Sequence, residues 1–308
     1  MENNHELPSW FVRLVTDMGD TRTPTSLPPS DLGAGFTLPW LTAAQFLQLP
    51  PPQWLIENVL PYPALFQIIG RKTMYKSRVL LHLMLCTVYG IPFAGQRILA
   101  PGPCVLVAAE DPYQHIKRIH AWTTYYAQGH IAEQFIVVPA RVSLFGETRS
   151  FAEFLVRLSY MPESPRLVGF DTYSACTVGL QENDSDGASL AIERMEQVRD
   201  VTKYCVGIAH HAPKGEDKHP TSRGHTRLID AMSAVFTCQY ERGSNALAFE
   251  CAHQRVAQEF EPVYFSVLTV PTVGDAVVVH DQHYTSQRMR EAKGEPLRRG
   301  RPPKPTST

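Results

Sequence analysis

The most constraining stretch of this sequence is a loop set between two apolar runs. Leu65-Phe66-Gln67-Ile68-Ile69 reads as a buried strand, and Val79-Leu80-Leu81-His82-Leu83-Met84-Leu85 as the start of a helix. Between them lies Gly70-Arg71-Lys72-Thr73-Met74-Tyr75-Lys76-Ser77, followed by Arg78. This stretch has the length and ending of a phosphate-binding loop, G-x-x-x-x-G-K-[ST], and the strand–loop–helix setting that the motif requires. In such a loop, backbone N–H groups and the helix N-terminus face the phosphates. Lys76 is expected to reach the β- and γ-phosphates of ATP, and the Ser77 hydroxyl to bind Mg²⁺. One position departs from the pattern: Tyr75 stands where glycine usually supplies backbone freedom. The alternative is a basic strand-to-helix turn with no ligand.

The rest of the chain repeats the strand–helix alternation. Strands are expected at Cys104–Ala109, Phe135–Val138, Leu167–Phe170 and Tyr204–Ala209, with helices over about 113–126, 151–158 and 188–202. Such spacing means βαβ units and a mostly parallel sheet. The helix after the loop is expected to stop near Tyr89-Gly90. In parallel sheets, ligands bind at the carboxyl ends of the strands. Here those ends carry Gly70–Ser77, Glu110-Asp111, Asp171-Thr172 and His210-His211. Four polar clusters on one expected sheet edge constrain function more than the loop alone. After about Val235 the pattern changes to short sequential strands, expected to form an antiparallel extension.

Composition sets outer bounds. The 308 residues are 44% hydrophobic and 19% charged, enough for a full-sized core. A net charge of -1 excludes a polycation, so any nucleic-acid contact has to come from local patches. Cys86, Cys104, Cys176, Cys205, Cys238 and Cys251 form no C-x-x-C pair and fall mostly in apolar runs. They read as free buried thiols in a reducing cytoplasm. The first residues have no secretory pattern, and no stretch has membrane-spanning length, so no membrane partner is expected.

The chemistry-bearing residues follow from their strand ends. Asp171 stands where P-loop ATPases place a Mg²⁺-organising aspartate, or else it caps the next segment. Glu110 is positioned to activate water, or to serve as an acid at a helix N-terminus. His210 and His211 must face opposite sides of their strand, so at most one is expected to face a nucleotide. Arg223 reads as a surface arginine. Arg299, Arg301 and Lys304 lie in a tail whose Arg-Gly-Arg-Pro resembles an A·T minor-groove segment, or which is simply solvated.

In this order the motifs resemble the RecA-like P-loop ATPases of the RepA type, the hexameric replicative helicases of plasmids, and their phage and mobile-element relatives. The matching residues are Gln53-Trp54-Leu55-Ile56, the loop Gly70–Ser77, Ala109-Glu110-Asp111-Pro112 and Phe170-Asp171-Thr172. They continue with Glu182-Asn183-Asp184, His210-His211-Ala212-Pro213-Lys214-Gly215 and Ser222-Arg223-Gly224. The resemblance covers about residues 54–240. It implies an α/β, RecA-like core with a mostly parallel central sheet flanked by helices, plus the antiparallel extension. It also implies an ATP- and Mg²⁺-dependent ring, a homohexamer, that moves along single-stranded DNA with other replication proteins. By the same resemblance Glu110 is the catalytic carboxylate, His211 a phosphate sensor and Arg223 an arginine finger. Lys214 and Lys218 would then touch DNA phosphates in the central channel.

The expected organisation is a loose leader over 1–40, an ATPase core over 41–240 with an N-terminal docking segment, a β extension over 241–280 and a basic, disordered tail over 281–308. Two rivals remain at this point. One is an ATP-dependent DNA-binding or assembly factor that does not unwind, such as a recombination mediator or replication regulator. The other is a non-enzymatic DNA-binding protein with a degenerate loop.

Overall fold

The computed structural model describes residues 41–181, 184–211 and 226–292. The chain divides into two compact units, Met1–Pro51 and Pro52–Thr308. In the described part of the first, a short helix, α1 (Ala43–Phe46), starts at a capping box between Thr42 and Gln45. The expected leader over 1–40 lies outside the described residues.

The second unit opens with an antiparallel pair, β1 (Gln53–Ile56) and β2 (Leu60–Tyr62). Its centre is one nine-stranded sheet among the described residues. The parallel strands are β3 (Ala64–Gly70), β4 (Cys104–Ala108), β5 (Phe135–Val138), β6 (Leu167–Asp171) and β7 (Cys205–His211). They are followed by β8 (Ala234–Glu241), β9 (Ala246–Gln254), β10 (Val263–Val270) and β11 (Asp275–His280). The order is β11-β10-β9-β8-β3-β7-β6-β4-β5. The expected mostly parallel α/β sheet with an antiparallel C-terminal extension is therefore present.

The turn to antiparallel pairing comes later than expected. β8 runs parallel to β3, with Phe66 opposite Ala234 and Ile69 opposite Thr237. Antiparallel pairing starts on its other side, with β9.

The sheet is covered on both faces, which is why its parallel strands read as continuous apolar runs. Alternation along β3 divides the core. Phe66 and Ile68 pack with Leu80, Met84, Phe236 and Phe249. Leu65 and Ile69 pack with Val105, Phe170, Met195 and Val198. The helix α2 (Lys76–Tyr89) is buried from Val79 to Val88 and ends at Gly90, whose φ of 65° is the left-handed cap expected of glycine. Gly207 leaves room for the Phe66 ring of β3: a Cβ there would lie 2.2 Å from it.

The other helices are α3 (Pro112–Tyr126), α4 (Arg149–Ser159), α5 (Tyr173–Cys176), α6 (Ser185–Thr202), α7 (Thr226–Ala231) and α8 (Gln282–Ala292). The last corrects the expectation of disorder from residue 281. Asp281 Oδ1 accepts from the Tyr284 N–H at 2.9 Å, and Thr285 Oγ1 accepts from the Tyr264 N–H at 3.0 Å. The Tyr264 and Tyr284 rings meet edge to face. A polar helix is thus capped and pinned to β10, support that composition does not reveal. Residues 293–308 lie outside the described set.

All six cysteines are free and buried. Among the described residues no helix is long and apolar enough to cross a membrane.

Candidate active site

Register brings the polar strand ends together. Gly70 pairs with His211, and Asp171 lies between Ala108 and Ala209 on its two neighbours. The carboxyl ends of β3, β7, β6 and β4 thus form one edge, with the loop 70–77 leaving it at the β3 end.

Lys76 is the first residue of α2 and is buried. Its Nζ lies 2.9 Å from His211 Nδ1. Burial lowers the pKa of the Lys76 ammonium, and the charges of Asp171 and Glu110 oppose that shift. His211 is also lowered, first by burial and then by the Lys76 charge, so its neutral ring accepts from the ammonium. His210 faces the other way, buried, with its ring 5.1 Å from Tyr173. One histidine of the pair meets the loop, as alternation requires.

Ser77 Oγ donates to Asp171 Oδ1 at 2.8 Å. The second carboxylate oxygen, Oδ2, lies 3.0 Å from His115 Nε2 and 3.6 Å from the Arg118 guanidinium. Burial pushes the Asp171 carboxyl up, but these partners outweigh it and hold the group below its ordinary range. The result is a buried, ionised carboxylate of fixed orientation beside a hydroxyl. Two hard oxygen donors of this kind suit Mg²⁺.

Glu110 is exposed at the end of β4, and its Oε2 accepts from Thr172 Oγ1 at 3.1 Å. The neighbouring Asp111 caps α3 through the Gln114 N–H, with Pro112 in the first turn. The acid pair therefore divides its work: Asp111 caps the helix, and Glu110 points its carboxylate to the Thr172 side. Asp184 likewise caps α6, accepting from the N–H groups of Asp186 and Gly187.

The loop residues differ in exposure. Arg71, Lys72 and Thr73 are exposed. Met74 is half-buried, and its thioether accepts from the Tyr240 N–H. Tyr75 has φ 58° and ψ 12°, a left-handed conformation. The Arg78 side chain, next to the loop in sequence, donates to Asp275 Oδ1 and to the Ala276 carbonyl on β11. Arg223, Lys214, Lys218, Arg299, Arg301 and Lys304 lie outside the described residues, as do Glu182 and Asn183.

His115 and Arg118 are site residues that the sequence reading did not single out, and Thr172 appeared there only as part of a strand-end motif. Their signal is faint: His115 and Arg118 are three apart on the helix that follows Glu110-Asp111, and so share a face.

Residues 30–217 match the family model described as an AAA domain. The match spans more than half of the chain, which belongs to that family. The P-loop ATPase class expected from the motifs thus holds. Among solved structures, the crystal structure of the RadB recombinase is similar to this chain, with a TM-score of 0.46 and 14% identity. That similarity covers 67% of this chain and 88% of the recombinase chain. No curated protein matches the sequence.

Proposed function

We propose that this chain hydrolyses ATP at the carboxyl edge of its sheet and couples the cycle to movement on DNA. The observation that carries the ATPase part is the convergence of Lys76, Ser77, Asp171 and His211 on the loop at the N-terminus of a fourteen-residue helix. Ser77 and Asp171 would hold Mg²⁺, which when bound supplies charge neutralisation at the phosphates. Lys76 donates to phosphate oxygen in place of His211. His115 and Arg118 hold the orientation of Asp171. Glu110, accessible and fixed through Thr172, orients the attacking water and takes its proton.

The finer reading is a ring-forming helicase of the RepA type, a homohexamer on single-stranded DNA in the cytoplasm. It draws on the order of motifs in the sequence. Arg223 would act across a subunit boundary, Lys214 and Lys218 would face the channel, and Arg299, Arg301 and Lys304 would add nonspecific DNA affinity. The division into leader, core and β extension belongs to the same reading, with the basic tail starting after α8.

The test is steady-state ATP hydrolysis by the wild type and Glu110→Gln, with and without single-stranded DNA. DNA-stimulated turnover that the variant loses is the expected result, to be followed by a strand-unwinding assay. Turnover without unwinding leaves an ATP-dependent assembly factor. No turnover by the wild type under any condition removes the enzymatic reading.

A further inference from the structure

Tyr75 adopts a backbone conformation that disfavours a side chain and makes glycine the default. Its neighbours show what accompanies it. The Tyr75 ring meets Tyr240 of β8 edge to face, with centroids 4.7 Å apart and planes at 65°. Two further contacts tie the same loop to the same strand. The Tyr240 N–H donates to Met74 Sδ at 3.2 Å. A Cβ on Gly70 would lie 3.1 Å from the Cys238 carbonyl oxygen, so the first loop residue is packed tightly against β8 as well. Residues 70, 74 and 75 are all keyed to the carboxyl end of one neighbouring strand.

We infer that Tyr75 and Tyr240 form an aromatic latch that holds the phosphate loop in the left-handed conformation glycine would otherwise permit. Tyr240, outside the loop, is then a positioning residue for nucleotide affinity. The inference rests on the nucleotide reading above. Edge-to-face aromatic pairs carry energy beyond their buried area, so the pair can offset the left-handed backbone at Tyr75. The latch replaces conformational freedom with a specific contact.

The experiment is calorimetric titration with Mg²⁺ and ATP of the wild type, Tyr240→Ala, Tyr240→Phe, Tyr75→Gly and the double variant Tyr75→Gly/Tyr240→Ala. Hydrogen exchange of the 71–77 amides is followed in the same proteins. Tyr240→Ala should weaken ATP binding about tenfold, equivalent to about 1.4 kcal/mol, and speed loop exchange. Tyr240→Phe, which keeps the ring, should match the wild type in both. Tyr75→Gly should bind more tightly than Tyr240→Ala, and the double variant should bind like Tyr75→Gly. That rescue separates a latch from a merely stabilising contact, for which Tyr75→Gly would bind as weakly as Tyr240→Ala. Unchanged affinity and loop exchange in Tyr240→Ala would overturn the inference, as would a double variant no better than Tyr240→Ala. Absence of ATP binding by the wild type would sink the nucleotide reading instead. Loop exchange in Tyr240→Ala against Tyr240→Phe would then decide the latch alone.

Discussion

Lys76 and His211, 135 residues apart in sequence, are hydrogen-bond partners at 2.9 Å where the loop meets the end of β7. The neutral ring is the acceptor, so protonation breaks the bond and places two cations together. The His211 pKa is lowered from its ordinary 6.5 in the folded chain. The sign follows: the favourable contact is present above about pH 6.5 and is lost as pH falls through the lowered value. ATP binding breaks the same bond, and a protonated ring adds positive charge beside the phosphates, so ATP affinity should rise as pH falls through the lowered value, and His211→Gln should flatten that rise. Titrations from pH 5 to 8 check it. An acid limb of wild-type steepness in the variant would assign the dependence to another group.

Glu110→Gln keeps the hydrogen bond to Thr172 available and removes the base. Nucleotide affinity should stay close to that of the wild type, while turnover falls by about 10²–10⁴-fold, the usual contribution of a positioned general base. Normal turnover would move the base elsewhere on the edge.

His115→Ala takes one partner from a buried carboxylate whose other oxygen accepts from Ser77. The loss should be about 1–3 kcal/mol of unfolding free energy, the cost of a buried polar group left unpaired. A higher Mg²⁺ requirement for turnover should accompany it. Urea unfolding and a Mg²⁺ titration read the two effects. A variant as stable as the wild type would mean that Arg118 and Ser77 suffice to secure Asp171.

His82 lies buried in α2 and accepts from Trp122 Nε1 at 2.9 Å. Burial pushes its pKa down to about 3. Because the folded value is depressed, its contribution is full above about pH 6.5 and is lost as pH falls toward 3. Global stability should drop by up to about 1.4 kcal/mol per pH unit per proton below neutrality. His82→Phe should be less stable at pH 7 yet show a shallower acid slope. Equal slopes would locate the acid sensitivity in other groups.

Much of this arrangement was legible in the residue order. β3, β4, β6 and β7 are buried on both faces, so each shows as an apolar run that stops at the loop 70–77 or at a polar pair. Their polar ends predict one edge, and register puts them there. The β1–β2 hairpin was not legible, because Pro61 and Pro63 interrupt its alternation. α8 was missed because its support comes from Asp281 and from two tyrosine rings that come together only in the fold. The His115 and Arg118 contacts with Asp171 depend on how α3 is rotated on the sheet, which spacing alone does not specify. The side chain of Arg78 also follows tertiary contact: its neighbour Ser77 faces Asp171, while Arg78 turns toward β11.

β8 has neighbours of opposite sense, β3 on one side and β9 on the other. It also carries Tyr240 and Cys238 against the loop, and its Phe236 packs 4.9 Å from Phe249 of β9. A chain cut after Glu241 would keep every motif residue named above up to that point, yet would leave β8 with an open edge and Arg78 without Asp275. The C-terminal hairpins are therefore not a detachable module. Any graft, truncation or domain exchange at this boundary alters the floor on which the phosphate loop rests, even when no loop residue is changed.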